Sequence, residues 1–134
     1  MNLNDYFETI KVDNTGRNYL YPQNQLLKYA YIYSDDNPIK NIEDFDIAII
    51  GVTANYNNDL NLKEGLKSIR EYLYSLSSFE KSPKIIDLGN FKNGKTENDT
   101  IIGLRDVIIT LLTSNVLPII IGDSEIIIYA QFLA

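Results

Sequence analysis

The sequence contains no cysteine and no histidine. Without cysteine there is no disulfide framework, no thiolate zinc site and no cysteine nucleophile. Without histidine the usual general base, the Ser-His-Asp triad and the commonest nitrogen ligand for transition metals are all excluded. A metal would have to be held by oxygen ligands alone, which suits Mg, Mn or Ca better than Zn. Positive charge is also scarce: 12 Lys and Arg stand against 18 Asp and Glu, for a net charge of −6. The basic residues are scattered rather than clustered, which argues against a nucleic-acid partner. The start, MNLNDYFETIKVD, lacks the basic-then-apolar pattern of a signal peptide, and no apolar run approaches a membrane span. The expectation is a soluble cytoplasmic protein of one domain, since 134 residues suffice to bury a core without cross-links.

What the chain does have is an alternation of strand-like and helix-like segments. DIAIIGV (46–52) and KIIDLGN (84–90) are short buried-strand patterns, each with a glycine near its end. A third lies in LPIIIGDSEIIIYAQFLA (117–134), where Ile119, Ile120 and Ile121 are continuously apolar. Pro118 sits at its first residues, where a missing N–H does little harm, and Gly122 permits a tight turn. Between the first two strands, Leu62, Leu66, Ile69, Leu73 and Leu76 form one stripe of an amphipathic helix. Lys63, Lys67, Arg70 and Glu71 fall largely off that stripe, so Arg70 is expected as a surface charge. Gly65 implies a frayed first turn or close packing.

Before the third strand, Ile101, Leu104, Ile108, Leu111 and Leu112 keep one helical face. Ile102, Val107 and Ile109 widen it, which implies a helix buried along much of its girth. Thr96 and Asp99 are spaced like a capping box, Asn93 and Gly94 suggest a turn, and Asn115 suits the left-handed position after a helix. Residues 1–44 are the least patterned. Tyr6, Phe7 and Ile10 can anchor a short helix or arm, residues 26–33 fit neither period well, and SDDNP at 34–38 signals a turn. This segment is expected to wrap and cover the body formed by residues 45–134.

Strand, helix, strand, helix, strand, helix with short connections implies an α/β fold. The expected form is a three-layer α/β/α arrangement with a parallel sheet, right-handed crossovers and local strand order 2-1-3. A ligand crevice is then expected over the C-terminal ends of the first and third strands. Its candidate lining is Asp123, Ser124 and Glu125 after the third strand, Asn90 after the second, and Asn55 in the loop TANYNN after the first. Each has a plainer alternative. Ser124 suits an N-cap while Asp123 and Glu125 favour the helix dipole. Asp87 and Asn90 suit a turn with side-chain–backbone hydrogen bonds, and Tyr72 and Tyr74 suit packing. Gly51, Gly89 and Gly122 each stand alone, so a flavodoxin-like phosphate loop is not supported.

The segments 46–52, EGLKSIREYLYSL, IIDLGN and LPIIIGDSE occur in the order found in the N-terminal half of the ureohydrolases, the family of arginase, agmatinase and formimidoylglutamase. Ile69 and Arg70 match its helix pattern G/A-P-x-x-I-R-x-x-L. Asp87, Gly89 and Asn90 resemble its D-x-G-D/N strand end, and LPIIIGDSE resembles P-L-V-L-G-G-D-H-S. The resemblance implies an arginase-like fold and, in the complete family, hydrolysis of a linear amidine or guanidine C–N bond at a two-manganese centre. Aligned without a gap from Pro118, the family's first His ligand corresponds to Glu125 and the preceding Asp to Ser124. Anchoring on Gly-Asp instead places Ser124 at the His position.

The family's later ligand motifs, D-x-H-x-D and D-x-D, lie on strands beyond the three read here. The resemblance is therefore closest to a divergent, formimidoylglutamase-like branch. It implies no cofactor in this chain, no catalytic residue, and Glu125 as the one candidate metal ligand. The apolar IIIYAQFLA segment would leave a helix and a strand edge without cover, as in the N-terminal portion of a larger domain. Self-association through those surfaces is expected. The alternatives are a non-catalytic structural or interaction domain of the same fold, or a flavodoxin-like small-ligand binding domain.

Overall fold

The computed structural model describes residues 1–11, 26, 29–53, 60–76 and 82–134. Its strands are β1 (Phe7–Glu8), β2 (Tyr31–Ile32), β3 (Ile47–Val52), β4 (Ile85–Phe91) and β5 (Leu117–Gly122). Its helices are α1 (Leu60–Ser75), α2 (Glu97–Thr113) and α3 (Ile126–Leu133), with short 3-10 turns at Leu3–Tyr6 and Ile42–Asp44. The fold is mixed α/β with one open, mostly parallel sheet. β4, β3 and β5 are parallel neighbours in that order, which is the expected 2-1-3.

The N-terminal segment does more than cover the body, and the sheet is not wholly parallel. β1 joins the outer edge of β4 antiparallel, with Phe7 opposite Phe91. β2 joins the same edge in parallel, with Tyr31 opposite Ile86. An uncovered edge leaves a row of backbone donors and acceptors unpaired, and these two short strands satisfy one end of it each. Among the described residues β5 has no such neighbour on its outer side.

Side chains alternate across a strand, and this sorts the two faces of the sheet. Ala48, Ile50 and Val52 of β3 join Ile86 and Leu88 of β4 in the main core. Leu104, Val107 and Leu111 of α2 and Ile126 and Ala130 of α3 close over them. Burial of each large side chain here contributes roughly 1.5–3 kcal/mol. Asp87, lying between Ile86 and Leu88, points to the opposite face, where side chains of α1 meet it.

Both helical stripes differ from the periodic reading. On α1 the buried side chains are Leu66, Arg70 and Tyr74, while Ile69 and Leu76 are about half exposed. Arg70 is thus no surface charge: it is 4% exposed. The helix presents this flank because a buried carboxylate on β4 needs partners, and that need outweighs covering Ile69. Nothing packs within 4 Å of a Cβ built on Gly65, so close packing does not explain that glycine. On α2 the buried face is Thr100, Leu104, Val107, Ile108 and Leu111, and Ile102, Ile109 and Leu112 are exposed. The wide stripe exceeds what one sheet face and one neighbouring helix can cover.

The punctuation signals before β5 stand as read, with one exception. Thr96 and Asp99 form the complete capping box, and Asn115 is the one non-glycine among the described residues with positive φ, at 59°. Ser34 and Asn37 bond each other through their backbones in the 34–38 turn. Gly94 is the exception. It packs on the first turn of α2, with its N–H donating to Thr100 Oγ1 at 2.8 Å.

Candidate functional site

The densest buried polar group lies at the C-terminal end of β4. Asp87 is fully buried and its carboxylate accepts four hydrogen bonds. Arg70 donates to both oxygens, from Nε at 2.9 Å and from Nη2 at 3.2 Å. The Tyr74 hydroxyl donates to Oδ2, and the Gly89 N–H donates to Oδ1 at 2.9 Å. Arg70 also donates from Nη2 to the Gly89 carbonyl at 2.8 Å and from Nη1 to Asn90 Oδ1 at 2.7 Å. The ion pair is desolvated yet has its acceptors filled, the condition under which a buried pair is tolerated. Burial, and then the Asp87 charge, push the Tyr74 hydroxyl far above its ordinary range, against a smaller opposing pull from Arg70. Tyr74 is therefore a donor here and not a base.

A local irregularity builds this cluster. Asp87 and Asn90 are three residues apart, and in a regular strand they would face opposite sides of the sheet. The β3–β4 register shifts between Ile49, opposite Asp87, and Gly51, opposite Asn90, so β4 carries one extra residue there. Gly89 lies within that bulge at φ +84°, and the bulge re-aims Asn90 to the Asp87 side. No other residue fits at position 89, since an added Cβ would stand 2.2 Å from the Glu8 carbonyl oxygen of β1. Gly51 closes the cluster from β3: a Cβ there would stand 2.4 Å from Asn90 Oδ1 and 2.9 Å from Arg70 Nη2.

The end of β5 is built differently. Asp123 and Glu125 are exposed. Ser124 is not the N-cap expected of it: Glu125 holds that position without a side-chain cap bond. Ser124 lies one residue earlier, its Oγ accepting from Ile126 N at 3.4 Å and its carbonyl from Ile127 N at 3.2 Å. Gly122 lets the chain pass close to β3, as a Cβ would stand 2.4 Å from the Val52 carbonyl oxygen. Among the described residues no three Asp or Glu side chains come together to hold a metal, so Glu125 has no co-ligands there.

Two cavities flank α1. Over the end of β4 lies one of about 330 Å³, with Asn90, Arg70, Tyr74, Ile10 and Lys67 in its lining. Over the ends of β3 and β5, where the crevice was expected, lies a hollow of about 150 Å³ that includes Thr53, Leu66, Gly122 and Asp123. Asn90 and Asp123 therefore line separate cavities, and Ser124 and Glu125 line neither. Asn55 lies outside the described residues. Arg70 and Tyr74 were missed as site residues because helical periodicity places them off the apolar stripe or among packing residues. The signal that could have found them was Asp87 itself, an acid inside an apolar strand, which requires a buried donor.

No protein-family model, curated protein or solved structure matches this chain. What this arrangement offers chemically is an internally neutralised cluster with hydrogen-bond donors at its surface, and no nucleophile.

Proposed function

We propose that this chain is a ureohydrolase-like scaffold with the arginase-like three-layer arrangement, corresponding to the N-terminal part of that family's domain. The observation that carries the reading is the meeting of Arg70 with Asp87 and Asn90. Arg70 belongs to the helix that resembles the family, and Asp87, Gly89 and Asn90 to the strand end that resembles it. Separated by 17 and 20 residues, they form one hydrogen-bonded unit. In this reading Arg70 positions the strand end and does not act on a substrate.

The chain by itself is non-hydrolytic. Two metals bridging a hydroxide need ligands from several strands; D-x-H-x-D does not occur in the sequence, and its one D-x-D, Asp44-Phe45-Asp46, precedes β3 instead of ending a later strand. Manganese and an amidine substrate belong to the complete family and not to these residues. The protein is cytoplasmic and associates with a second copy through the outer edge of β5 and the apolar side of α3, where Ile128 and Phe132 are exposed. No described helix is long and apolar enough to cross a membrane.

Calorimetry with manganese, together with an assay of formimidoylglutamate hydrolysis, tests this. Neither binding nor turnover is expected. Manganese binding that disappears in Glu125→Ala would replace the scaffold reading with a metalloenzyme one. Light scattering tests the association, which Phe132→Asp is expected to weaken.

A further inference from the structure

The cavity over the end of β4 has a donor-only floor. Arginine carries five N–H donors and no acceptor. Four of those of Arg70 are spent, on Asp87 twice, on Gly89 and on Asn90. The fifth, on Nη1, has no partner among the described residues and lies beside Asn90. Because Arg70 can only donate, the atom of Asn90 that faces it must be the oxygen. The Asn90 amide nitrogen is therefore turned away from Arg70, and its two hydrogens are what this half-buried side chain offers to the cavity that it lines. Gly51 backs both groups closely enough to hold them in place.

Charge of both signs stands around the opening, and two uncommitted lysines supply the matching one. Lys67 and Lys11 border the cavity and engage no partner among the described residues, whereas Lys63 is spent on Glu8 at 3.3 Å. Glu64 and Glu71 also border the opening. A carboxylate there opposes a doubly charged anion about twice as strongly as a singly charged one. The volume, about 330 Å³, is at the lower end for small-ligand sites.

We infer that this cavity binds a small oxyanion, held by the Asn90 amide, the free N–H of Arg70 and the Lys67 ammonium. A singly charged carboxylate fits better than phosphate. The inference is independent of the ureohydrolase reading, which stands or falls on manganese and turnover.

The test is NMR titration of the whole chain with acetate and, separately, with inorganic phosphate, at ionic strength held constant with sodium chloride. The side-chain NH2 signals of Asn90 and the Nε–H signal of Arg70 report directly on the floor. Saturable shifts of both are expected with acetate. Saturation by phosphate alone supports the oxyanion site and assigns it to phosphate. Asn90→Asp keeps an oxygen for Arg70 but replaces the outward donor with a charged acceptor, so affinity should fall at least about tenfold. Lys67→Glu, at an exposed position without partners, should weaken binding about threefold or more and leave the fold intact. Absence of a saturable shift with either anion, or affinity unchanged in both variants, overturns the proposal.

Discussion

The ends of β4 and β5 are both C-terminal ends of parallel strands, both marked by glycine and both followed by polar residues, yet they differ in kind. At β5 three consecutive polar residues, exposed Asp123 and Glu125 with half-buried Ser124 between them, lead into a helix. At β4 the polar residues are sparse in sequence and dense in space: Arg70, Tyr74, Asp87 and Asn90 converge from a helix and a bulged strand. Local polar density thus marked a helix start, and the buried site came from isolated polar residues inside apolar segments. Solvent satisfies the first group without help. The second must satisfy itself, and that requirement fixes how α1 sits on the sheet.

Removing one half of the β4 pair should give the largest effect. Arg70→Met leaves the Asp87 carboxylate buried and uncompensated, and should cost about 3–5 kcal/mol in chemical denaturation. Asp87→Asn with Arg70→Met should recover part of that loss, because the remaining groups are neutral. Comparable losses in Asp123→Asn or Glu125→Gln would erase the contrast between the strand ends. Gly89→Ala comes next. It strains the left-handed backbone and drives a Cβ against the Glu8 carbonyl, for a loss of about 2 kcal/mol or more, read the same way.

The sequence made the three central strands, their order and the α2 cap legible because each rests on local rules. Continuous apolar runs, the Thr96–Asp99 spacing and Asn115 need no knowledge of what lies across the sheet. Legibility stopped where a long-range partner decided the outcome. Ile69 looks like core and Arg70 like surface until Asp87 is known to face the same helix. Asn90 was a candidate for its place at a strand end, but its orientation depends on a bulge at Gly89. Phe7 and Tyr31 are unreadable as strands because two residues carry no period; they pair only because β4 offers an edge.

Tyr74 sharpens the comparison through pH. Its hydroxyl is held above the ordinary tyrosine value of 10.0 in the folded protein. Above that value the unfolded chain loses the proton while the folded chain keeps it, so unfolding releases a proton and stability falls as pH rises. The stabilisation is fully present below the unfolded value and is lost progressively above it. Tyr74→Phe should cost about 1.5 kcal/mol at neutral pH, from the lost bond to a carboxylate. Its stability should also fall less steeply than that of the parent between neutral and strongly alkaline pH. Parallel curves would mean that Tyr74 is not sealed against Asp87.

The smallest effects separate two helix starts. Thr96→Ala removes a reciprocal box in which Thr96 Oγ1 accepts from Asp99 N at 3.1 Å and Asp99 Oδ2 accepts from Thr96 N at 3.0 Å. A loss of about 1 kcal/mol is expected. Ser124→Ala removes a single contact at 3.4 Å to Ile126 N, near the limit at which a hydrogen bond contributes, and should cost less than about 0.5 kcal/mol. Side-by-side thermal unfolding of the two variants reads the difference. A Ser124 loss equal to that of Thr96 would show that the polar group after β5 is more than a loose helix start, and would restore it as the place to look for chemistry.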